Sequence, residues 1–197
     1  MTLPPSNKRA SHKARGDDLY ETPVVAVRAL LSVEPLPHRI WEPACGPGNI
    51  VAELRAAERE VIATDLTYHA CPGQLAGVNF LKQRQAPLGI DTIVTNPPFK
   101  HAHEFVSKAL ELCPRVIMLL RLAFLESERR RDILDGGRLA RVHVFRKRLP
   151  MMHRAGWTGP KATSAVAFAW FVWEASSEST TLSRLSWEPF TPKETPP

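Results

Sequence analysis

The 197-residue sequence predicts an α/β fold: a seven-stranded, mostly parallel sheet with helices on both faces and an antiparallel pair at one edge. Three observations predict it. Short apolar runs alternate with segments whose apolar residues recur at helical spacing, the pattern of repeated β-α-β units. The last two runs have no helix between them, so a direct connection pairs them antiparallel. Two loops of unusual backbone chemistry, Gly46-Pro47-Gly48 and Asn96-Pro97-Pro98, each follow a predicted strand. Ligands of such sheets bind at the carboxyl ends of the strands.

Residues 1–18 read as a disordered basic arm, ahead of a single domain over 19–175 and a loose Ser/Thr/Pro-rich tail over 176–197. Thr22 suits an N-cap and Pro23 a first helical position. Val24, Val27 and Leu31 then share a helix face, and Pro35 and Pro37 end that helix. Arg39-Ile40-Trp41 predicts the first strand, and Asn49 a cap for a helix in which Ile50, Val51 and Leu54 share a face. Residues 61–65, 78–81 and 91–94 predict the second, third and fourth strands. Phe105, Val106, Ala109 and Leu112 mark a helix before the fifth and most apolar strand, residues 116–120. A polar-faced helix is expected over 124–134, stopped at Gly136-Gly137. Residues 142–145 and 165–173 supply the last two strands.

With 44% hydrophobic residues the chain can bury a sizeable core. No run approaches the roughly 18 apolar residues of a membrane span, and the polar start has no signal-peptide pattern. Cys45, Cys71 and Cys113 are scattered without a CxxC pair. That argues for reduced thiols in a cytoplasmic protein and against a disulfide or zinc framework. His101 and His103 lack companion ligands at metal spacing, so no metal is expected.

The net charge of +6 is unevenly placed. Residues 136–173 hold no Asp or Glu but seven basic residues: Arg138, Arg141, Arg146, Lys147, Arg148, Arg154 and Lys161. A second group (Lys8, Arg9, Lys13, Arg15) precedes the first acid, Asp17. Concentrated positive charge attracts phosphate backbones through counterion release; a solvated face kept for solubility is the plain alternative. Trp157, between glycines in the acid-free stretch, offers a ring to stack on or wedge between bases, or else packs inward in an ordinary hairpin loop. Arg129-Arg130-Arg131 reads as a solvated helix face.

Two motifs carry chemistry. Thr95-Asn96-Pro97-Pro98-Phe99 follows the apolar pair Ile93-Val94, where a buried strand ends. Two prolines fix the backbone there and remove two N–H donors. The Asn96 and Pro97 carbonyls can then accept the two hydrogens of an exocyclic amino group while Phe99 stacks on its ring. Asn and Pro also dominate plain turns, so the motif taken alone leaves both readings open. In Glu42-Pro43-Ala44-Cys45-Gly46-Pro47-Gly48 the glycines let a ligand approach the backbone, but the Lys and Ser/Thr of a phosphate loop are missing. Asp65, 19 residues beyond Gly46, ends the next strand. A carboxylate there holds ribose hydroxyls, or caps the following turn.

Together these segments, with Tyr20-Glu21-Thr22-Pro23 ahead of them, resemble the class I S-adenosylmethionine-dependent methyltransferases of the type that modifies adenine N6. The likeness spans residues 19–173 and is most similar to small stand-alone DNA methyltransferases of phages and bacterial genomes. It implies a Rossmann-like fold with S-adenosylmethionine as cofactor, released as S-adenosylhomocysteine. The implied cofactor residues are Tyr20, Thr22, Pro23, Glu42, Ala44, Cys45, Gly46, Gly48, Asp65, Leu66, Asn79 and Phe80. The implied catalytic residues are Asn96, Pro97, Pro98 and Phe99. The family often has an acid before Phe80; here it is Asn79, whose carbonyl can still accept a hydrogen bond. Phe80 stacks beside the cofactor or belongs to the core.

The basic excess points to nucleic acid, and the resemblance to adenine in DNA. Arg146, Lys147, Arg148, Arg154, Trp157 and Lys161 are the expected contacts. RNA adenines or a protein glutamine amide are the alternatives within the same fold, and a non-catalytic binding module the alternative from another class. No segment is long enough for a separate target-recognition domain, so a short or relaxed recognition sequence is expected, read by a monomer or a homodimer.

Overall fold

A computed structural model describes residues 20–150 and 166–191. Four helices, α1 (Val24–Leu31), α2 (Asn49–Ala56), α3 (Ala102–Leu112) and α4 (Arg131–Leu134), accompany seven strands. These are β1 (Arg39–Glu42), β2 (Glu60–Ala63), β3 (Thr92–Thr95), β4 (Arg115–Arg121), β5 (Leu139–Phe145), β6 (Phe168–Trp173) and β7 (Thr181–Leu185). They form one sheet in the order β2-β1-β3-β4-β6-β5-β7. Only β6 runs antiparallel to its neighbours, between β4 and β5.

The strands alternate between two apolar layers, as the period of two requires. Ile40, Val94, Ile117, Leu119, Trp170 and Val172 face one layer with α1 and α2. Trp41, Ile93, Val116, Met118, Phe171 and Trp173 face the other with α3 and α4. Each buried indole N–H finds an acceptor, which such rings need. Trp41 donates to Thr64 Oγ1 at 2.9 Å, Trp170 to the Ala26 carbonyl at 2.9 Å and Trp173 to the Ile133 carbonyl at 2.7 Å. The last two bonds pin β6 to a helix on each face.

Under α1, Glu34 is buried at 3% exposure. It accepts from Arg115 Nη2 at 2.7 Å, Arg141 Nε at 2.5 Å and His143 Nε2 at 2.7 Å. Burial alone would raise its carboxyl, but the bonds from His143 and Arg141 outweigh that and hold it at about 2. Arg138 is likewise consumed by the carbonyls of Leu110, Cys113, Pro114 and Glu174. Two of the seven basic residues of the acid-free stretch therefore serve the fold.

The structure departs from expectation at several places. Residues 78–81 form no strand: the Asn79 side chain accepts the Leu81 N–H at 3.1 Å and starts a 3-10 helix, Phe80–Lys82. Asn side chains compete with the sheet ladder in this way. β2 is therefore left at the sheet edge, with one bridge from Thr64 to Leu75. The helix expected over 124–134 is broken into 3-10 turns at Leu122–Leu125 and Glu128–Arg130 before α4. Arg130 Nη1 donates to the carbonyls of Ala123, Phe124 and Glu126, acceptors that a continuous helix would have filled.

The tail expected to be loose instead supplies β7, parallel to β5, and a 3-10 turn at Glu188–Phe190. The antiparallel pair β5–β6 consequently lies one strand in from the edge. Thr22 is not the N-cap of α1; Pro23 is, and the Thr22 hydroxyl serves elsewhere. Gly48, not Asn49, caps α2. No helix among the described residues is long and apolar enough to cross a membrane.

Candidate active site

β3 is buried along its whole length, and its carboxyl end delivers Asn96 into a cleft of about 310 Å³. The Asn96 amide nitrogen donates to the Tyr20 carbonyl at 3.2 Å and to Thr22 Oγ1 at 3.0 Å. A backbone carbonyl can only accept, so the NH₂ end must face Tyr20 and the oxygen must face the other way. That oxygen, Oδ1, is buried and has no hydrogen-bond partner among the described residues. A buried acceptor without a partner is costly in a folded chain and asks for a ligand donor. Pro97 and Pro98 lock the exit from the strand, and the Pro98 carbonyl accepts the His101 N–H at 2.9 Å, turning the chain into a 3-10 helix, Phe99–His101. The Phe99 ring lies 5.3 Å from Tyr20 and 5.5 Å from Phe168, tilted against both.

The glycine loop forms the opposite wall. Gly46 has φ +49° and Gly48 φ +96°, both in the left-handed region that favours glycine. A Cβ on Gly48 would lie 2.6 Å from the Cys71 sulfur, so that position has no room for one. Asp65 accepts the Gly46 N–H through Oδ2 and the Thr67 N–H through Oδ1, each at 2.9 Å. It thus caps its own turn and braces the loop, and each oxygen keeps a further lone pair for a ligand.

Glu42 lies beneath the loop, fully buried, outside the cleft lining. Its Oε1 accepts Thr95 Oγ1 at 2.5 Å and the Ala44 N–H at 3.3 Å. Its Oε2 has no partner among the described residues, and burial pushes the carboxyl up to about 8. One carboxyl therefore ties the glycine loop to the residue before Asn96. Asn49 Nδ2 donates to the Thr22 carbonyl at 2.9 Å. Thr22 is accordingly held from both walls.

Tyr20, Thr22, Ala44, Cys45, Gly46, Asp65, Leu66, Asn79, Phe80, Asn96, Pro97, Pro98 and Phe99 all line this single cleft. Pro23, Glu42 and Gly48 do not; they shape it from behind. Phe80 is a core residue at 2% exposure, packed on Trp41 and Phe105 at 5.2 and 4.9 Å, with one edge reaching the cleft. The Asn79 side-chain carbonyl accepts the Leu81 N–H and keeps a second lone pair at the cleft wall. Burial pushes the Cys45 and Cys71 thiols up, so Cys45 presents a neutral, apolar wall. Sequence reasoning missed Asn49, Thr67 and His69, which also line the cleft. The sequence marks Asn49 only as a helix cap, and a lone Thr or His in a loop carries no signal.

Arg146, Lys147 and Arg148 are exposed just past the end of β5, at the same edge of the sheet as Asn96. Lys147 pairs with Glu188, while Arg146 and Arg148 form no ion pair among the described residues. Arg154, Trp157 and Lys161 lie outside the described residues. The solvated reading holds for Arg129 and Arg131, which are open to solvent and make long ion pairs with Glu104 and Glu128; Arg130 caps carbonyls instead. His101 lines the cleft. Among the described residues no three His, Cys, Asp or Glu side chains are grouped to hold a metal ion.

No protein-family model and no curated protein matches the chain by sequence. Solved structures do match its fold. A candidate RNA methyltransferase of Pyrococcus horikoshii superposes with a TM-score of 0.57 at 13% identity, over 80% of this chain and 86% of that one. The modification subunit of a candidate type I restriction enzyme from Vibrio vulnificus gives 0.57 at 16% identity, over 90% of this chain and 48% of the subunit. A candidate O-methyltransferase of Agrobacterium tumefaciens gives 0.52 at 12% identity, over 84% and 86%. The chain has the Rossmann-like class I methyltransferase fold. These neighbours are named for different acceptors, so the fold leaves the acceptor to be argued from the site.

Proposed function

We propose that the protein transfers a methyl group from S-adenosylmethionine to the exocyclic N6 of adenine in DNA. The observation that carries this reading is the Asn96 oxygen: buried, unpartnered, and aimed by Tyr20 and Thr22 in the cleft that the glycine loop also lines. An amino group is the complementary donor.

The residues fit the cofactor. Ala44, Cys45 and Gly46 offer a backbone that a ligand can approach closely, with Asp65 beside them for hydroxyls. When bound, S-adenosylmethionine supplies a sulfonium-activated methyl. The protein's own contribution is positioning and electrostatics. The adenine amino nitrogen is a weak nucleophile because its lone pair is shared with the ring. Hydrogen bonds to Asn96 Oδ1 and the Pro97 carbonyl favour a pyramidal nitrogen and stabilise positive charge as it develops. No strong base is needed, since the nitrogen's proton becomes acidic after transfer. A base paired in a duplex must first turn out of the stack to reach the β3 tip. Arg146, Lys147 and Arg148 at the same edge are suited to the phosphates, as are Arg154 and Lys161 of the basic stretch, with Trp157 suited to stack on a base.

Incubation with methyl-labelled cofactor and duplex DNA, single-stranded DNA or RNA tests the reading. Label in duplex DNA, recovered as N6-methyladenine, is expected. Label in RNA alone would transfer the same chemistry to the other nucleic acid. No label in any of the three overturns the proposal.

A further inference from the structure

We propose that Arg121 is a substrate-positioning residue that holds the phosphate next to the target nucleotide; the inference rests on the adenine-transfer reading above. Arg121 ends β4, whose other residues are almost entirely apolar and buried, and it is exposed. The strand registers fix where it lies. Thr95 pairs with Met118, so Arg121 stands three residues further along, past the tip that carries Asn96. Across the sheet it pairs with Phe168. The Leu122 N–H donates to the Ala167 carbonyl at 2.8 Å and holds the backbone at that height.

The Arg121 guanidinium carbon lies 4.8 Å from the centroid of the Phe99 ring, above its face. Among the described residues it forms no ion pair, so its charge is not spent on the fold. A guanidinium resting on an aromatic face at the surface is held only weakly, so a better partner displaces it. A heterocycle that stacks on that face of Phe99 cannot share it with the guanidinium. The displaced side chain keeps a planar fork of donors that matches phosphate geometry. It swings from a fixed root at the mouth of the cleft, where the phosphodiester beside an extruded nucleotide must pass.

The surroundings supply a route for that backbone. Phe168 touches Phe99 and also lines a second concavity of about 460 Å³ with Arg146, Lys147 and Arg148. The Phe99–Phe168 contact thus links a wall of the cleft to a wall of the concavity at the basic edge. The alternative role for Arg121 is a prop that merely supports the Phe99 ring. A prop would not respond to salt.

Arg121→Gln and Arg121→Lys separate the two roles. Binding of duplex DNA is measured across a salt series, with the KM and kcat for methyl transfer and cofactor affinity by calorimetry alongside. In Arg121→Gln the slope of log affinity against log salt is expected to fall by about one, the loss of one phosphate contact. Its KM for DNA should rise about tenfold, with cofactor affinity unchanged. Arg121→Lys should keep the wild-type slope, since the charge remains. A wild-type slope and KM in Arg121→Gln, or a fall in kcat alone, overturns the proposal and leaves the prop. A wild-type protein that methylates no nucleic acid overturns the adenine reading and this inference together. Transfer intact with the slope unmoved overturns this inference only.

Discussion

Asn96 is bonded at one end of its amide and, among the described residues, not at the other. Two acceptors fix the nitrogen, and the oxygen is left over. Asn96→Ala is expected to lower the rate of methyl transfer about 10²–10³-fold, as for removal of one preorganised group from a transition state. Calorimetry should find cofactor affinity within about twofold of wild type, because the glycine loop is untouched. Equal losses of both would assign Asn96 a structural role. Thr22→Val removes one of the two acceptors that aim the amide. The rate should drop about tenfold, and Thr22→Ser should restore it by returning the hydroxyl. Steady-state kinetics on the two variants checks this.

The glycine loop, β3 and the turns around them set the cleft's walls at the next scale up. Gly48→Ala puts a side chain at φ +96° and against the Cys71 sulfur. Overpacking of this kind typically costs about 1–3 kcal/mol. Thermal melting should show that loss, together with weaker cofactor binding, and Cys71→Ala in the same chain should recover part of it. At this scale much was legible in the sequence. Short apolar runs and helical spacing gave β1, β2, β3, β4, α2 and α3, and Asn-Pro-Pro after an apolar pair marked the tip of β3. What was not legible has physical causes. Asn79 diverts its own backbone into a turn, a choice invisible in a four-residue apolar run. Arg130 reaches back to three carbonyls and cuts a helix that propensity would have continued. β7 is polar on most positions because it is an edge strand facing solvent, so hydrophobic pattern gave no sign of it. Of the site, the residues on strand tips were readable from motif spacing. Asn49 and His69 were not, since only the folded chain brings them to the cleft.

Among the described residues, two buried acids, Glu42 and Glu34, are shifted in opposite directions. Glu42 is raised from 4.5 to about 8 by burial. The native state then holds a proton that the unfolded chain has released, so its contribution is complete below pH 4.5 and lost as pH rises towards 8. The expected slope in that window is roughly −1.4 kcal/mol per pH unit from this group. Glu34 is lowered to about 2, so its contribution is present above pH 4.5 and lost as pH falls towards 2. Denaturant melts across pH should show both limbs, and Glu42→Gln should flatten the upper one while leaving the lower. The sheet's far edge makes a separate prediction. β7 covers β5, buries Leu185 and places Ser183 Oγ 2.6 Å from His143 Nδ1. Removing residues 176–197 would bare the β5 ladder. A lower melting midpoint and concentration-dependent association by light scattering are expected.

Thr22 has a consequence for the sequence of events in a turnover. Asn49, at the start of α2, grips its carbonyl, and Asn96 grips its hydroxyl. A ligand that settles on the loop side therefore stiffens the shelf on which the acceptor amide rests. For the proposed transfer, the methyl donor is expected to bind ahead of the nucleotide, and product-inhibition patterns check that order.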